Sequence, residues 1–295
     1  MTITTDSTSA RLLKSSARHS YDPEVDIDWD APLVEGMYFA PPERLSLYGT
    51  PIWASLTEDQ RIELSRHEIC SIASVGLWFE MILIQIMARE LYDEDARTEK
   101  MQYALTEIGD ECRHSVMFGK MIDRFGVKPY GAQPYIHRLG RIFKAVAGGV
   151  SGYASILVAE EVLDRLQRET IADERVQPLT RMVSRIHVTE EARHMTYARE
   201  QIEQAVPKLS AKALAVHQVV TAQTAFMVAR SLVHPDVYTA VGLDPREARR
   251  QAFGNSHYQA TLEFAAERVL AFLTEQGLVP TWQHRTWRRS LLMPA

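Results

Sequence analysis

Asp110-Glu111-Cys112-Arg113-His114 returns eighty residues later as Glu190-Glu191-Ala192-Arg193-His194. A lone glutamate precedes each string at the same interval: Glu80 stands 31 residues before Glu111, and Glu160 stands 31 residues before Glu191. An acid and a histidine three apart occur by chance in a chain of this composition. The weight lies in the equal spacings, the shared offset and the repeated acid-acid-x-Arg-His string. Residues three apart share a helix face, so each Glu-x-x-His presents a carboxylate and an imidazole together. Two lone glutamates and two such pairs, in this order, are the donor set with which a four-helix bundle holds two metal ions in its core.

The turns around the motifs point the same way. In an antiparallel helix hairpin, two residues share a level only when the turn lies midway between them. The midpoint of Glu80 and Glu111 falls at residues 95–96, beside Asp93-Glu94-Asp95; that of Glu160 and Glu191 falls at 175–176, beside Ala172-Asp173-Glu174-Arg175. Each leg is then about 22 Å long at the helical rise. Both hairpins therefore place their lone Glu level with their Glu-x-x-His.

Working outward, residues 1–55 read as an irregular N-terminal segment, broken by Pro23, Pro32, Pro41, Pro42 and Pro51. Met1–Ser20 has no apolar run of the secretory kind and reads as a disordered tail. Thr57 followed by Asp59-Gln60 signals a helix start. Helices are expected to about residue 92, on to about 125 with a stop at Gly126, over 136–171, and from 178 to 205 with a stop at Pro207. Two more are expected near 209–232 and 244–276, and 277–295 reads as a C-terminal tail. No strand alternation stands out. The expected fold is all-α: a di-metal helical bundle over 56–276, with helices added after the four-helix core.

The bulk properties bound the function. At 295 residues, 46% hydrophobic and 24% charged, the chain can bury a large core. A net charge of −5 argues against nucleic acid. Two cysteines, Cys70 and Cys112, supply neither a disulfide framework nor a zinc spacing and fit a reducing cytoplasm. Residues 72–88 are nearly apolar, but Glu80 and Gln85 within them fit a core helix better than a membrane span.

Helical phase sets Glu80 on a face with Ile72, Ala73, Gly76, Leu77, Leu83, Ile84 and Met87, and Glu160 with Tyr153, Ile156, Leu157 and Leu163. Leu105, Ile108, Phe118 and Ile122 are expected to flank Glu111. Glu161 is expected to face water with Arg165 and Arg168. His187, four residues before Glu191, shares its face. It reads equally as a third imidazole ligand or as a core histidine bonded to a carboxylate, since its counterpart in the first hairpin is Glu107. Asp110, Glu190, Arg113 and Arg193 are expected to orient the ligands from outside.

Carboxylate-rich donors with some imidazole suit iron or manganese rather than structural zinc. Four carboxylates balance two divalent ions, which makes the centre neutral and so fit for burial. These residues resemble the ferritin-like di-iron carboxylate proteins, and within them the AurF-type p-aminobenzoate N-oxygenases. The string His187-x-x-x-Glu191-x-x-His194 and the added C-terminal helices carry that likeness. The resemblance covers about residues 57–275. It implies Glu80, Glu111, His114, Glu160, His187, Glu191 and His194 as ligands of two iron ions, with manganese as the alternative. It further implies O2 as co-substrate, oxidation of an arylamine or other amine to a hydroxylamine or nitro compound, and a homodimer. Electrons are expected from an external donor, a reductase or ferredoxin, since no flavin or nicotinamide fingerprint is found.

Two readings compete with N-oxygenation. One is a di-iron hydroxylase or desaturase acting on a carrier-bound or acyl substrate. The other is an iron-oxidising or radical-generating protein, for which Tyr197, one turn past His194, would be the radical site; a core role for it is the blander reading. Gly148-Gly149-Val150-Ser151-Gly152 lacks a preceding strand and a Lys-Ser/Thr ending, so it serves helix entry or close packing rather than phosphate. The basic, aromatic run 282–289 is expected as a surface clamp or dimer contact. Cys112 faces away from Glu111.

Overall fold

The computed structural model describes residues 7–294. It is all-α, with one isolated bridge, Tyr38 to Val176, among the described residues. Four long helices form the core: α4 (Glu58–Glu90), α5 (Glu99–Arg124), α7 (Gly149–Ala172) and α8 (Pro178–Ala205). They are numbered after α1 (Thr8–Arg18), α2 (Pro23–Asp26) and α3 (Pro51–Ser55), with α6 (Pro134–Val146) between the hairpins. α9 (Ala211–Ser231), α10 (Asp236–Ala240), α11 (Pro245–Gly254), α12 (Ser256–Glu275) and α13 (His284–Ser290) follow. The hairpins α4–α5 and α7–α8 pack together, α9 and α12 cover α7, and α13 closes on α9.

The ends of the core helices follow from local chemistry. Thr57 caps α4 through Gln60 N, and the Gln60 side chain returns to the Thr57 amide. Thr98 caps α5, which ends at Phe125 before Gly126 turns left-handed at φ +66°. Pro178 opens α8, where its missing N–H costs nothing. The expected third helix, 136–171, is two helices. It breaks at Ala147-Gly148, and Gly149 takes a φ of +52° that a side chain would resist. Glu90 Oε1 accepts from the Gly149 amide there, so the glycine run is a helix entry. The last expected helix divides likewise: Asn255 ends α11 and caps α12 through His257 N.

Two expectations for the ends of the chain need correction. Residues 1–55 are not merely irregular. α1 is an amphipathic helix that docks Leu12 into the main core, and Ile27, Phe39, Leu45 and Leu47 are buried. The part of the expected tail before Ser7 lies outside the described residues. At the other end, 277–294 is no tail. Leu278, Val279, Trp287 and Leu292 join the main core, and within the run 282–289 Trp287 is fully buried as a packing residue while Trp282, Arg285, Arg288 and Arg289 stay exposed. Burying so large an indole excludes more apolar surface from water than any other single side chain.

Among the described residues, α4 is the one helix long and apolar enough to cross a membrane. Its Phe79, Ile82, Leu83, Ile86 and Met87 are buried in the bundle instead.

Candidate metal centre

Seven side chains meet where the four core helices cross. α4 supplies Glu80, α5 Glu111 and His114, α7 Glu160, and α8 His187, Glu191 and His194. None is more than 1% exposed. The donor atoms fall into overlapping groups: Glu111, His114, Glu191 and His194; Glu80, His114 and His187; Glu160, His187 and Glu191. Within each group the chosen atoms lie within 4.8 Å of one another. All seven sequence-derived residues are thus brought together.

The histidines present different nitrogens. His114 Nδ1 lies 3.1 Å from both Glu111 Oε2 and Glu191 Oε1, and its Nε2 lies 2.9 Å from Glu190 Oε2. His194 Nδ1 lies 2.9 Å from Glu111 Oε1 and 3.1 Å from Glu191 Oε1, while its Nε2 faces Asp110 Oδ2 at 3.2 Å. Each outer carboxylate belongs to the opposite hairpin, so Asp110 and Glu190 brace the imidazoles crosswise, as metal-binding histidines usually are. Arg193 ties both braces together, at 3.2 Å from Asp110 Oδ2 and 3.6 Å from Glu190 Oε1. Arg113 pairs with Asp110.

His187 is reversed. Its Nδ1 lies 2.9 Å from Gln167 Oε1, which can only accept, so Nδ1 carries the proton. Nε2 then turns a lone pair toward Glu80 Oε1 at 3.7 Å, Glu191 Oε1 at 3.7 Å and Glu160 Oε2 at 3.9 Å. A lone pair aimed at three carboxylates asks for a cation among them. Burial pushes His187 down to about 4, so it stays neutral and able to ligate.

The unpartnered atoms give the same answer. Both Glu80 oxygens, Glu160 Oε2, Glu191 Oε2 and His187 Nε2 are buried without a hydrogen bond. Burial, and then the neighbouring carboxylates, push Glu80 and Glu160 well above the ordinary range. Burial opposes charge on Glu111 and Glu191 as well, yet the imidazolium protons of His114 and His194 hold both low. The carboxylates in turn hold those two histidines well above their usual value against burial. Protons thereby stand where cations would serve better, since buried charge is tolerated when paired or metal-bound. The donor set and its orphaned atoms fit two divalent ions.

Some neighbours differ from expectation. Glu161 is buried and bonded to Arg199 Nε at 2.9 Å. Arg165 lies over the Phe264 ring at 4.1 Å. α12 covers this face of α7, and nothing local to α7 announces that cover. Leu105 is exposed at the outer side of α5 rather than flanking Glu111. Tyr197 is fully buried, its ring 5.0 Å from that of Tyr103. Cys112 is exposed, as its phase requires.

Three participants escaped the motif reading. Gln167 lies two turns past Glu160 on the same face of α7, a phase signal that was present. His19 and Tyr21 reach the centre from the N-terminal segment: the His19 carbonyl accepts from Arg193 Nη1 at 3.0 Å, and the Tyr21 amide donates to Glu190 Oε1 at 3.1 Å. No periodicity foretells a loop contact of that kind. Glu107 is fully buried, with neither oxygen hydrogen-bonded.

Fold and site together define a ferritin-like helical protein built around a buried glutamate–histidine cluster. A family model described as p-aminobenzoate N-oxygenase AurF matches residues 3–277, and the chain belongs to that family. Curated relatives extend the likeness without adding a function. One is an uncharacterized protein of Mycobacterium tuberculosis (strain CDC 1551 / Oshkosh), 27% identical over 292 residues, 95% of this chain and 85% of the relative. Another is an uncharacterized protein of Mycobacterium bovis (strain ATCC BAA-935 / AF2122/97), 28% identical over 290 residues with the same coverage.

Proposed function

We propose that the chain is an O2-dependent non-haem di-iron monooxygenase that N-oxygenates an amine to the hydroxylamine or nitro level. Membership of the family supports the reaction class. The observation that carries the reading is the placement of His187 Nε2, buried without a hydrogen bond and 3.7–3.9 Å from Glu80, Glu160 and Glu191. Glu80, Glu111, His114, Glu160, His187, Glu191 and His194 are proposed to hold the two ions. When bound, the ions supply the electrons and open coordination positions for activating O2.

The chain's own residues do the rest. Gln167 holds the His187 ring in the tautomer that ligates. Asp110 and Glu190 fix the other two imidazoles and make them stronger donors. Two apolar cavities, of about 550 Å³ and 720 Å³ with their mouths included, adjoin the centre. They meet at Ile72, Gly76 and Leu163, which line both. The apolar walls keep bulk water from the reacting end, and Phe118, whose ring centre is 5.0 Å from that of His187, screens the cluster from the larger cavity.

The reading extends to a cytoplasmic homodimer supplied with electrons by a separate reductase or ferredoxin. Iron-loaded protein given reductant, O2 and a panel of arylamines tests it. Hydroxylamine or nitro products in amounts exceeding a His187→Ala control are expected. Carbon-hydroxylated or desaturated products alone would assign the chain to the competing oxygenase class.

A further inference from the structure

Four helix rows run from the cluster in one direction. On α4, Glu80 is followed at four-residue steps by Gly76, Ile72 and Glu68. On α7, Glu160 is followed by Leu163, Gln167 and Thr170. On α8, His187 is followed toward the helix start by Ser184 and Thr180. On α5, His114 is followed by Phe118 and Met121. Apart from Glu80, Glu160, His187 and His114 themselves, all of these line the larger cavity. It is therefore a channel with the cluster behind its inner end. Gly76 leaves the room that a side chain would fill: a Cβ there would lie 3.4 Å from Phe118 and 3.9 Å from Leu163.

The outer end is polar and its charges are unequal. Glu68 is buried, held by the Ser46 amide at 3.0 Å and by Ser46 Oγ at 2.5 Å, with Tyr238 Oη 2.9 Å from that hydroxyl. Arg44, on the same wall, is occupied: it grips Glu169 through two nitrogens and reaches Thr261 Oγ1 at 3.2 Å. Thr180 Oγ1 is buried with no partner. The anion in this wall is fixed and the cation is neutralised, while one hydroxyl awaits a bond. Burial sets Glu68 at about 7, so it is ionised in mildly alkaline solution.

We propose that this channel selects an elongated amine whose far end carries a neutral or cationic hydrogen-bond donor, read by Glu68 and Thr180, and that it rejects a carboxylate there. On the α4 wall the cavity runs from Glu68 to Gly76, eight residues and about 12 Å along the axis. A single benzene ring cannot bridge that span; two rings or a ring with a chain can. The inference rests on the oxygenase reading only in naming the inner end as the reacting end.

Binding to the full-length, metal-free protein tests it without catalysis. The probes are 4′-(hydroxymethyl)biphenyl-4-amine and 4′-aminobiphenyl-4-carboxylate, titrated calorimetrically in mildly alkaline buffer. The alcohol is expected to bind at least about ten-fold tighter, as a lost hydrogen bond plus an opposed charge implies. Glu68→Gln should bring the two within about three-fold by removing the opposed charge. Should Glu68→Gln fail to fold, Thr180→Val, which keeps shape and removes only the hydroxyl, should weaken the alcohol by at least about three-fold. Equal or tighter binding of the carboxylate overturns the proposal and gives the recognition role to Arg44. An unchanged ratio in a folded Glu68→Gln protein, or unchanged affinity in Thr180→Val, also overturns it. Iron content, measured separately, decides the oxygenase reading: a protein that discriminates the probes but binds no iron keeps the channel and loses the oxygenase. One that oxidises amines without discrimination does the reverse.

Discussion

Replacing Glu190 with Gln isolates the brace on His114. The change preserves size but removes the charge from a carboxylate that faces His114 Nε2 at 2.9 Å and accepts from the Tyr21 amide at 3.1 Å. Loss of such a partner to a metal-binding histidine weakens metal affinity by about 10–100-fold, or about 1.4–2.7 kcal/mol. Metal that binds only the folded state stabilises it by an amount that falls one-for-one with that loss. Unfolding entropy of about 2.1 cal/mol/K per residue gives a chain of 295 residues about 0.6 kcal/mol/K. The metal-induced rise in Tm should therefore shrink by about 2–4 °C at one metal concentration. Calorimetric scans of metal-free and anaerobically Fe(II)-loaded protein, wild type and variant, provide the assay. Taking loaded minus metal-free within each protein cancels any change in intrinsic stability. Asp110→Asn should do the same through His194 Nε2. A metal-induced rise equal to that of wild type in both variants would refute the crosswise brace.

Other outcomes follow from single contacts. Glu107, pushed by burial to about 8 from an ordinary 4.5, binds its proton more tightly folded than unfolded. Metal-free protein should therefore lose stability as pH rises from 4.5 through 8, by up to about 1.4 kcal/mol per pH unit, and Glu107→Gln should flatten that slope in urea titrations. Gly140→Ala would put a Cβ 2.4 Å from Trp78 Cζ2, an overlap costing about 1–3 kcal/mol that should displace α6 from the smaller cavity and appear as a shift in Trp fluorescence. Trp287→Ala should cost about 3–5 kcal/mol in thermal unfolding, which a surface clamp would not. His187→Ala should lower iron content while leaving the far-UV spectrum unchanged.

The hairpins were legible because the chemistry there is periodic: Glu80, Glu111, Glu160 and Glu191 must reach one level, and a midpoint turn enforces it. Gly126, Pro207 and the Thr57 cap were legible as local stereochemistry. What escaped was long-range. Glu161 looked solvated because α7 alone cannot show that α12 lies over it. Trp287 looked like a surface residue because a short basic helix gives no sign of the core it closes. The His19–Tyr21 contact with Arg193 and Glu190 is a loop meeting a helix 170 residues away, beyond any spacing rule. At the centre, Glu80, Glu111, His114, Glu160, Glu191 and His194 could be found from spacing and His187 was singled out with the family likeness, whereas the nitrogen each histidine turns inward depends on Gln167, Asp110 and Glu190, and so on tertiary placement.

Iron per chain after anaerobic Fe(II) loading and desalting tests the central claim most directly. Two irons per chain in wild type, falling when Glu80, Glu160 or His187 is replaced by Ala, is the result this account requires. No retained iron, or an undiminished pair in the Glu80→Ala protein, would contradict it.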